Sequence, residues 1–402
     1  MGGKKGISKP PSKKQKEADL VAASLQRTQR LKDLRTAYTA HCRLFVTEPQ
    51  PLLVRRIDGE LRNPDGPEEI DKLILSQLHL APNDVYSMTT TFNAYAALSG
   101  IYLWRAKVES KGLEALAGFV STHATITTLH LLGCHLTASA ATHIATIART
   151  AAGLHTLVVD HNPLGSAGIA AVFAGVRAHR DSRLVKASCR YCDAGPPAAE
   201  SIAVALAENR TIVELQLDGN FLGDAGLEHL ARHLAHNTTL QTLCLAANQI
   251  RNASASGGVP AAAAASYLTP HRKSNANSAP TTTTTTTSTD QQPLYPAPAS
   301  LPPPTPLAAF CTTLATTTTT LSFLDLRGNH IGNTGADLVL DMLLTRKSLL
   351  AAAAAAAAAP APLLVYVTER MSEDRFERIW DLNDAMAATG KKGKGAKKGN
   401  KK

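Results

Sequence analysis

Cys189 and Cys192 stand in the spacing C-x-x-C, and thiols so placed can hold zinc or run a dithiol couple. A structural zinc site closes on four ligands. No second pair completes one here, so the spacing alone does not make a metal centre. His130 and His161 are side chains that can move protons, yet no Ser or Cys nucleophile lies at a motif that would pair with them. A phosphate loop, a dinucleotide fingerprint, H-E-x-x-H and a nucleophile elbow are absent from the sequence. No catalytic residue, metal or cofactor is therefore expected. Binding chemistry remains. Trp, Tyr and Arg are the types enriched at the energetic centres of interfaces, and Tyr102, Trp104 and Arg105 stand close together in the chain.

The elements that would position these residues follow from a repeat. From Ile212 to Thr239, IVELQLDGNFLGDAGLEHLARHLAHNTT is one clean unit. Ile212, Leu215 and Leu217 alternate as the inward face of a short strand, Asn220 can bond backbone at the bend, and Leu222 closes the turn. Gly226 opens a helix that turns Leu227, Leu230 and Leu234 inward. A 28-residue step finds Leu240, Leu243, Leu245, Asn248 and Ile250 downstream, and Leu184, Ala187, Cys189, Cys192 and Ala194 upstream. Leu154, Leu157, Val159, Asn162, Leu164 and Gly168 form a copy after a 30-residue step, and Ile126, Leu129, Leu131, Cys134 and Leu136 another. Weaker copies start at Leu98 and Ile70, and Leu321, Leu324, Leu326, Asn329, Ile331 and Gly335 give an eighth. One such unit cannot bury its own apolar face, so the copies must stack. The repeat also accounts for the C-x-x-C pair: Cys189 is an inward strand residue, and Cys192 holds the asparagine position, as Cys134 does.

The same periodicity locates the opposite face of the strands. One row reads Ile74, Tyr102, His130, Val158, Ser188, Gln216, Cys244, Asp325, and a second reads Ser76, Trp104, Leu132, Asp160, Arg190, Asp218, Ala246, Arg327. Beside them run Gln77, Arg105, Gly133, His161, Tyr191, Gly219, Ala247 and Gly328. The candidate partner-binding residues are Tyr102, Trp104, Arg105, His130, Leu132, Asp160, His161, Arg190, Tyr191 and Asp218.

A 28-residue unit with this strand, this asparagine or cysteine and this helix resembles the ribonuclease-inhibitor type of leucine-rich repeat, over roughly residues 70 to 345. The resemblance implies an α/β solenoid, a horseshoe with parallel strands on its concave face, helices on its convex face and a helical cap at each end. It leaves function open, because the family includes inhibitors, GTPase activators, immune sensors, actin regulators and ciliary scaffolds. The expected function is a non-enzymatic scaffold that binds a protein on its concave face. Activators of Ran-type GTPases resemble this chain in repeat type, and they carry an acidic tail where this one is basic. Association with nucleic acid is a further alternative.

Charge is concentrated at the two ends. Of the formal +10, residues 1–17 contribute +5 (six Lys, one Glu) and residues 391–402 contribute +7 (seven Lys), which leaves −2 for everything between. Lysines spaced by glycine bury no apolar surface, so disordered basic tails are expected at 1–17 and 390–402, suited to acidic partners such as tubulin tails, RNA or anionic lipid. Lysine and glycine tails on such repeats resemble axonemal proteins that bind tubulin, similar in kind to the repeat subunit of the nexin-dynein regulatory complex. That resemblance implies a place in a cilium or flagellum or on the cytoskeleton. Residues 18–69 predict a helical cap, with one helix over Ala18–Phe45 and a short one through Leu53–Ile57. The repeats fill 70–250 and 307–348, and a low-complexity, disordered insertion at 251–306 interrupts one unit between its strand and its helix. A poly-Ala linker is expected at 349–362, and a closing strand and helix at 363–389. Neither a signal peptide nor a spanning run is visible, and a cytoplasmic location is expected.

Overall fold

The computed structural model describes residues 12–252 and 304–395, apart from 64, 65, 67, 180, 181, 317–319, 353–359 and 369. Most of the expected tails, the bulk of the insertion and the centre of the poly-Ala tract lie outside the described residues.

Among the described residues, nine strands form one parallel sheet whose spatial order is the order of the repeats. They are β1 (Lys72–Ser76), β3 (Gly100–Trp104), β5 (Thr128–Leu132), β6 (Thr156–Val158), β7 (Lys186–Ser188), β8 (Glu214–Gln216), β9 (Thr242–Cys244), β10 (Phe323–Asp325) and β11 (Leu364–Tyr366). β2 (His79–Leu80) and β4 (Lys107–Val108) pair separately, beyond the turns of the first two units. The eight predicted copies supply β1, β3 and β5 to β10, and the predicted closing strand is β11. On the other side of the core stand α3 (Pro82–Phe92), α4 (Ser110–Thr122), α5 (Ala141–Thr150), α6 (Gly165–Ala178), α7 (Pro196–Glu208), α8 (Gly223–Leu234), α9 (Pro306–Thr316) and α10 (Gly332–Ala352). Helices need about 8–10 Å per neighbour and strands about 4.8 Å, so a stack of such units curves with the strands inside.

In the clean unit, Ile212, Leu215 and Leu217 are fully buried and Leu227, Leu230 and Leu234 nearly so. Each such side chain contributes roughly 1.5–3 kcal/mol of transfer free energy. Gly226 is required because a Cβ there would stand 2.8 Å from Cβ of Leu222. One unit earlier the pair is Ala194 and Ala198, both buried, so the smaller residue in the turn makes room for a methyl in the helix.

At the N-terminus, α1 (Lys13–Leu44) and α2 (Pro51–Leu61) cover the first repeat through Leu31, Leu34, Tyr38, Cys42, Leu53 and Ile57. α1 starts earlier than predicted, at Lys13 inside the stretch expected as tail, and Ser12 caps it by accepting from the Gln15 amide. Its first half leaves Leu20, Val21 and Leu25 exposed. At the other end α11 (Glu373–Gly395) runs beyond 389. Asn383 of α11 accepts from the Val365 amide at 2.9 Å and donates to the Val365 carbonyl at 2.8 Å, so a side chain stands where a further strand would pair at the sheet's last edge.

The insertion stands between β9 and α9 in the chain. Its two ends are tied together: Thr305 donates to Asn252 Oδ1 at 2.7 Å and caps α9 by accepting from the Ala308 amide at 3.2 Å.

Candidate functional site

Every strand presents two faces, and the register confirms which side chains share the outer one. Ile74, Tyr102, His130, Val158, Ser188, Gln216, Cys244 and Asp325 lie side by side as predicted, and the row continues to Tyr366. Beyond the strands a second ladder continues the pairing. The amides of Gln77, Arg105, Gly133, His161, Tyr191, Gly219 and Ala247 donate to the carbonyls of Trp104, Leu132, Asp160, Arg190, Asp218, Ala246 and Arg327 of the next unit, at 2.7–2.9 Å. Each of those donors, and Gly328 after them, has a positive φ between 51° and 73°. This left-handed step ends each strand and turns the chain toward its asparagine.

The asparagines hold the bend from inside. Asn220 Oδ1 accepts from the amides of Cys192 and Ala194, and its Nδ2 donates to the carbonyls of Cys189 and Leu217. Asn329 repeats the pattern on Asn248, Ile250, Leu245 and Leu326. Cys192 and Cys134 fill the position with an S–H donated to a backbone carbonyl of the preceding unit, of Val159 and Leu103, at 3.3 Å. Burial pushes the Cys192 thiol up to about 12, so it is a poor thiolate, and Cys189 beside it is buried and likewise raised. Among the described residues no three His, Cys, Asp or Glu side chains group as a metal site would require.

On the outer face the candidate residues fall into two groups. Tyr102, Trp104 and His130 form one aromatic patch: the Tyr102 ring stands edge-on to Trp104 at 6.3 Å and 4.6 Å from the His130 ring. Trp104 is 41% exposed, Arg105 is exposed, and Leu132 borders them half-buried. Burial lowers the His130 pKa against the opposing pull of Asp160, which favours a neutral ring. The second group lies further along the sheet. His161 stacks on Tyr191 at 4.6 Å and 12°, and the Tyr191 ring lies across Gly219, where a Cβ would meet it at 2.2 Å.

Asp160 corrects one expectation. It is fully buried, because its carboxylate turns along the sheet toward the next unit and is covered there by the groups it binds. It accepts from Ser188 Oγ at 2.6 Å, from the Arg190 amide at 2.9 Å and from Arg190 Nε at 2.7 Å. It positions Arg190 and offers no surface to a partner. Asp218, two units on, is half-buried. Its pKa is raised by burial and by Asp325, while the Ala246 amide and Arg190 pull it down.

The sequence-derived rows end at Asp325, Arg327 and Gly328 and miss the aromatic residues that follow on β11 and α11. Tyr366 stands edge-on to Phe323 at 5.0 Å, with the Arg327 guanidinium 5.5 Å from its ring centre. Phe376 and the exposed Trp380 of α11 continue the patch around a cavity of about 260 Å³. The signal was available, since Tyr366 follows from the alternation of Leu363, Val365 and Val367.

A model of the leucine-rich repeat family matches residues 208–231 and 318–339, which lie in the units of Ile212 and Leu321. NACHT, LRR and PYD domains-containing protein 12 of Homo sapiens is 34% identical over 130 residues, 32% of this chain and 12% of that protein. NACHT, LRR and PYD domains-containing protein 5 of Homo sapiens is 25% identical over 173 residues, 42% of this chain and 14% of that protein. The ribonuclease inhibitor of Sus scrofa is 27% identical over 179 residues, 44% of this chain and 39% of that protein. The matches thus span well under half of each relative's own length. With the parallel sheet, the 28-residue register and the asparagine ladder, they show a solenoid of leucine-rich repeats of the ribonuclease-inhibitor type.

Proposed function

We propose that the chain is a non-enzymatic interaction scaffold that takes a partner protein against the sheet face of its solenoid. The observation that carries this reading is the aromatic patch of exposed Trp104 with half-buried Tyr102 and His130, on adjacent paired strands. Such a surface supplies apolar area at little cost in conformational entropy, the property of binding hot spots. A ribonuclease inhibitor among the relatives supports binding to protein as the general role. The lysine tails add a second contact in this proposal, to an acidic surface such as tubulin tails, and a place in the axoneme or on the cytoskeleton follows from it. Support for the tail contact is compositional: seven of the last twelve residues are Lys.

The test is Trp104→Ala in the full chain, with native partners recovered by pull-down and affinity measured for the one identified. The complex should weaken by about 2 kcal/mol or more. The melting temperature should hardly move, since the indole points away from the core. Lys111→Ala, exposed on α4, is the control and should change neither. Unchanged affinity would remove the patch from the interface. A large drop in melting temperature would make Trp104 a structural cover for the first repeats.

A further inference from the structure

We propose that Asp218 is the receptor for an arginine side chain of the partner protein, which would occupy the place that Arg190 occupies on Asp160. The inference rests on the reading of the sheet face as the binding surface and names what one part of it recognises.

The repeat supplies its own comparison. Asp160 and Asp218 hold the same position in units that flank the unit of Arg190, and each accepts the backbone amide of the equivalent residue in the next unit: Asp160 from Arg190 at 2.9 Å, Asp218 from Ala246 at 2.9 Å. At Asp160 the residue that donates its amide also supplies a guanidinium, with Nε at 2.7 Å. At Asp218 that residue is alanine. Two further acids of this face have cations as well: Asp325 has Arg327 and Glu214 has Lys186. Among the described residues no Lys, Arg or His stands within ion-pair distance of Asp218. The guanidinium groups of Arg190 and Arg327, which act on it electrostatically or lie near it, are each held by another carboxylate.

The surroundings leave room for a side chain from outside. Gly219 follows Asp218 in the chain, Ala246 donates its amide to it, and neither these two nor Ala247 projects more than a methyl. Tyr191, 50% exposed, forms one wall, braced by His161 on its face. Arg327, two units further along the sheet, feels the Asp218 charge while its guanidinium is held by Asp325. A planar guanidinium entering along the Tyr191 ring would gain a cation–π contact on the way to a carboxylate it can grip with two hydrogen bonds. A half-buried carboxylate with no cation is costly to leave so, and the raised pKa of Asp218 is the mark of that cost.

The experiment uses the full chain as bait for displayed random peptides, with the selected sequences resynthesised carrying Arg, Lys or Gln at the enriched basic position. Wild type should enrich Arg-containing peptides, and Arg→Gln in the peptide should weaken binding at least about tenfold. Asp218→Asn should give a similar loss while keeping an oxygen for the Ala246 amide. Ala246→Arg should also block these peptides, by restoring within the chain the pair seen at Asp160. Thermal melts establish that both variants fold. Peptides that depend on Trp104 and ignore both Asp218→Asn and Ala246→Arg would overturn the assignment of Asp218 and leave the sheet face as the binding surface. Peptides indifferent to Trp104→Ala and Asp218→Asn alike would overturn both, and a selection that enriches no basic residue would overturn the arginine receptor.

Discussion

At the scale of the residue, stability is carried by side chains that serve main-chain groups of two units at once. Each buried asparagine binds backbone on its own bend and on the one before, which is why the position tolerates so few types. A second set works at the helix side: His123, His179, Asn237 and Arg346 reach the carbonyls of Phe92, Ala148, Leu206 and Leu314, one unit back in the chain. Asn220→Ala would leave the amides of Cys192 and Ala194 and the carbonyl of Cys189 without this partner in a buried bend, while Asn248 still serves the Leu217 carbonyl, and should cost about 3 kcal/mol or more in a urea titration. Asn220→Cys should cost clearly less, because Cys192 and Cys134 satisfy the same position with an S–H bond. Equal losses for the two variants would mean that an S–H bond cannot stand in for the amide group at this bend. The position was legible in the sequence as an asparagine or cysteine recurring with the 28-residue period. The helix-side set was not, since His, Asn and Arg at slightly shifted positions share a function and no letter.

At the scale of the element, the stack admits an insertion because its ends need only be brought back together. Asn252 and Thr305 do this by a direct hydrogen bond, and Thr305 then starts α9. Deleting residues 254–304, which keeps that cap, would shorten the passage from Leu240 to Leu321 to the same 30-residue step that already separates Leu154 from Leu184. The melting temperature should hardly change, because closing a long loop costs free energy that grows only as the logarithm of its length. A fall of many degrees would show that the insertion packs on the solenoid. Extending the deletion through Thr305 should be worse by about 1 kcal/mol, the worth of a helix cap. The sequence could not identify Thr305, since the composition around it is uniformly rich in Thr and Pro.

At the scale of the whole molecule, charge and fold are separated. The folded body is close to neutral, and the excess lysines sit toward the ends. The helices reach further into those ends than composition suggested, so Lys13, Lys14 and Lys16 belong to α1 and the last helix extends to Gly395. Removing residues 1–11 and 396–402 should therefore leave thermal stability unchanged. Binding to heparin or to polyglutamate should weaken, and its dependence on salt should become shallower, because fewer counterions are exchanged. Attachment that survives both the truncation and high salt would refute a role for the tails.

The sequence by itself determined the repeat, its period, the residues that face the core and the rows that face outward. These are local consequences of a strand, a bend and a helix that recur in register, and each unit repeats the same steric solution. Tertiary structure decided which of the outward residues a partner can reach. Asp160 and Asp218 occupy equivalent positions with the same letter, yet one is sealed beneath Arg190 and the other stands half-open beside Ala246. The difference lies on the neighbouring strand, a full unit away in the chain, and no pattern within one unit contains it. The closed edge at Val365 has the same origin: Asn383 reads as an ordinary helix residue until the last helix lies against the last strand.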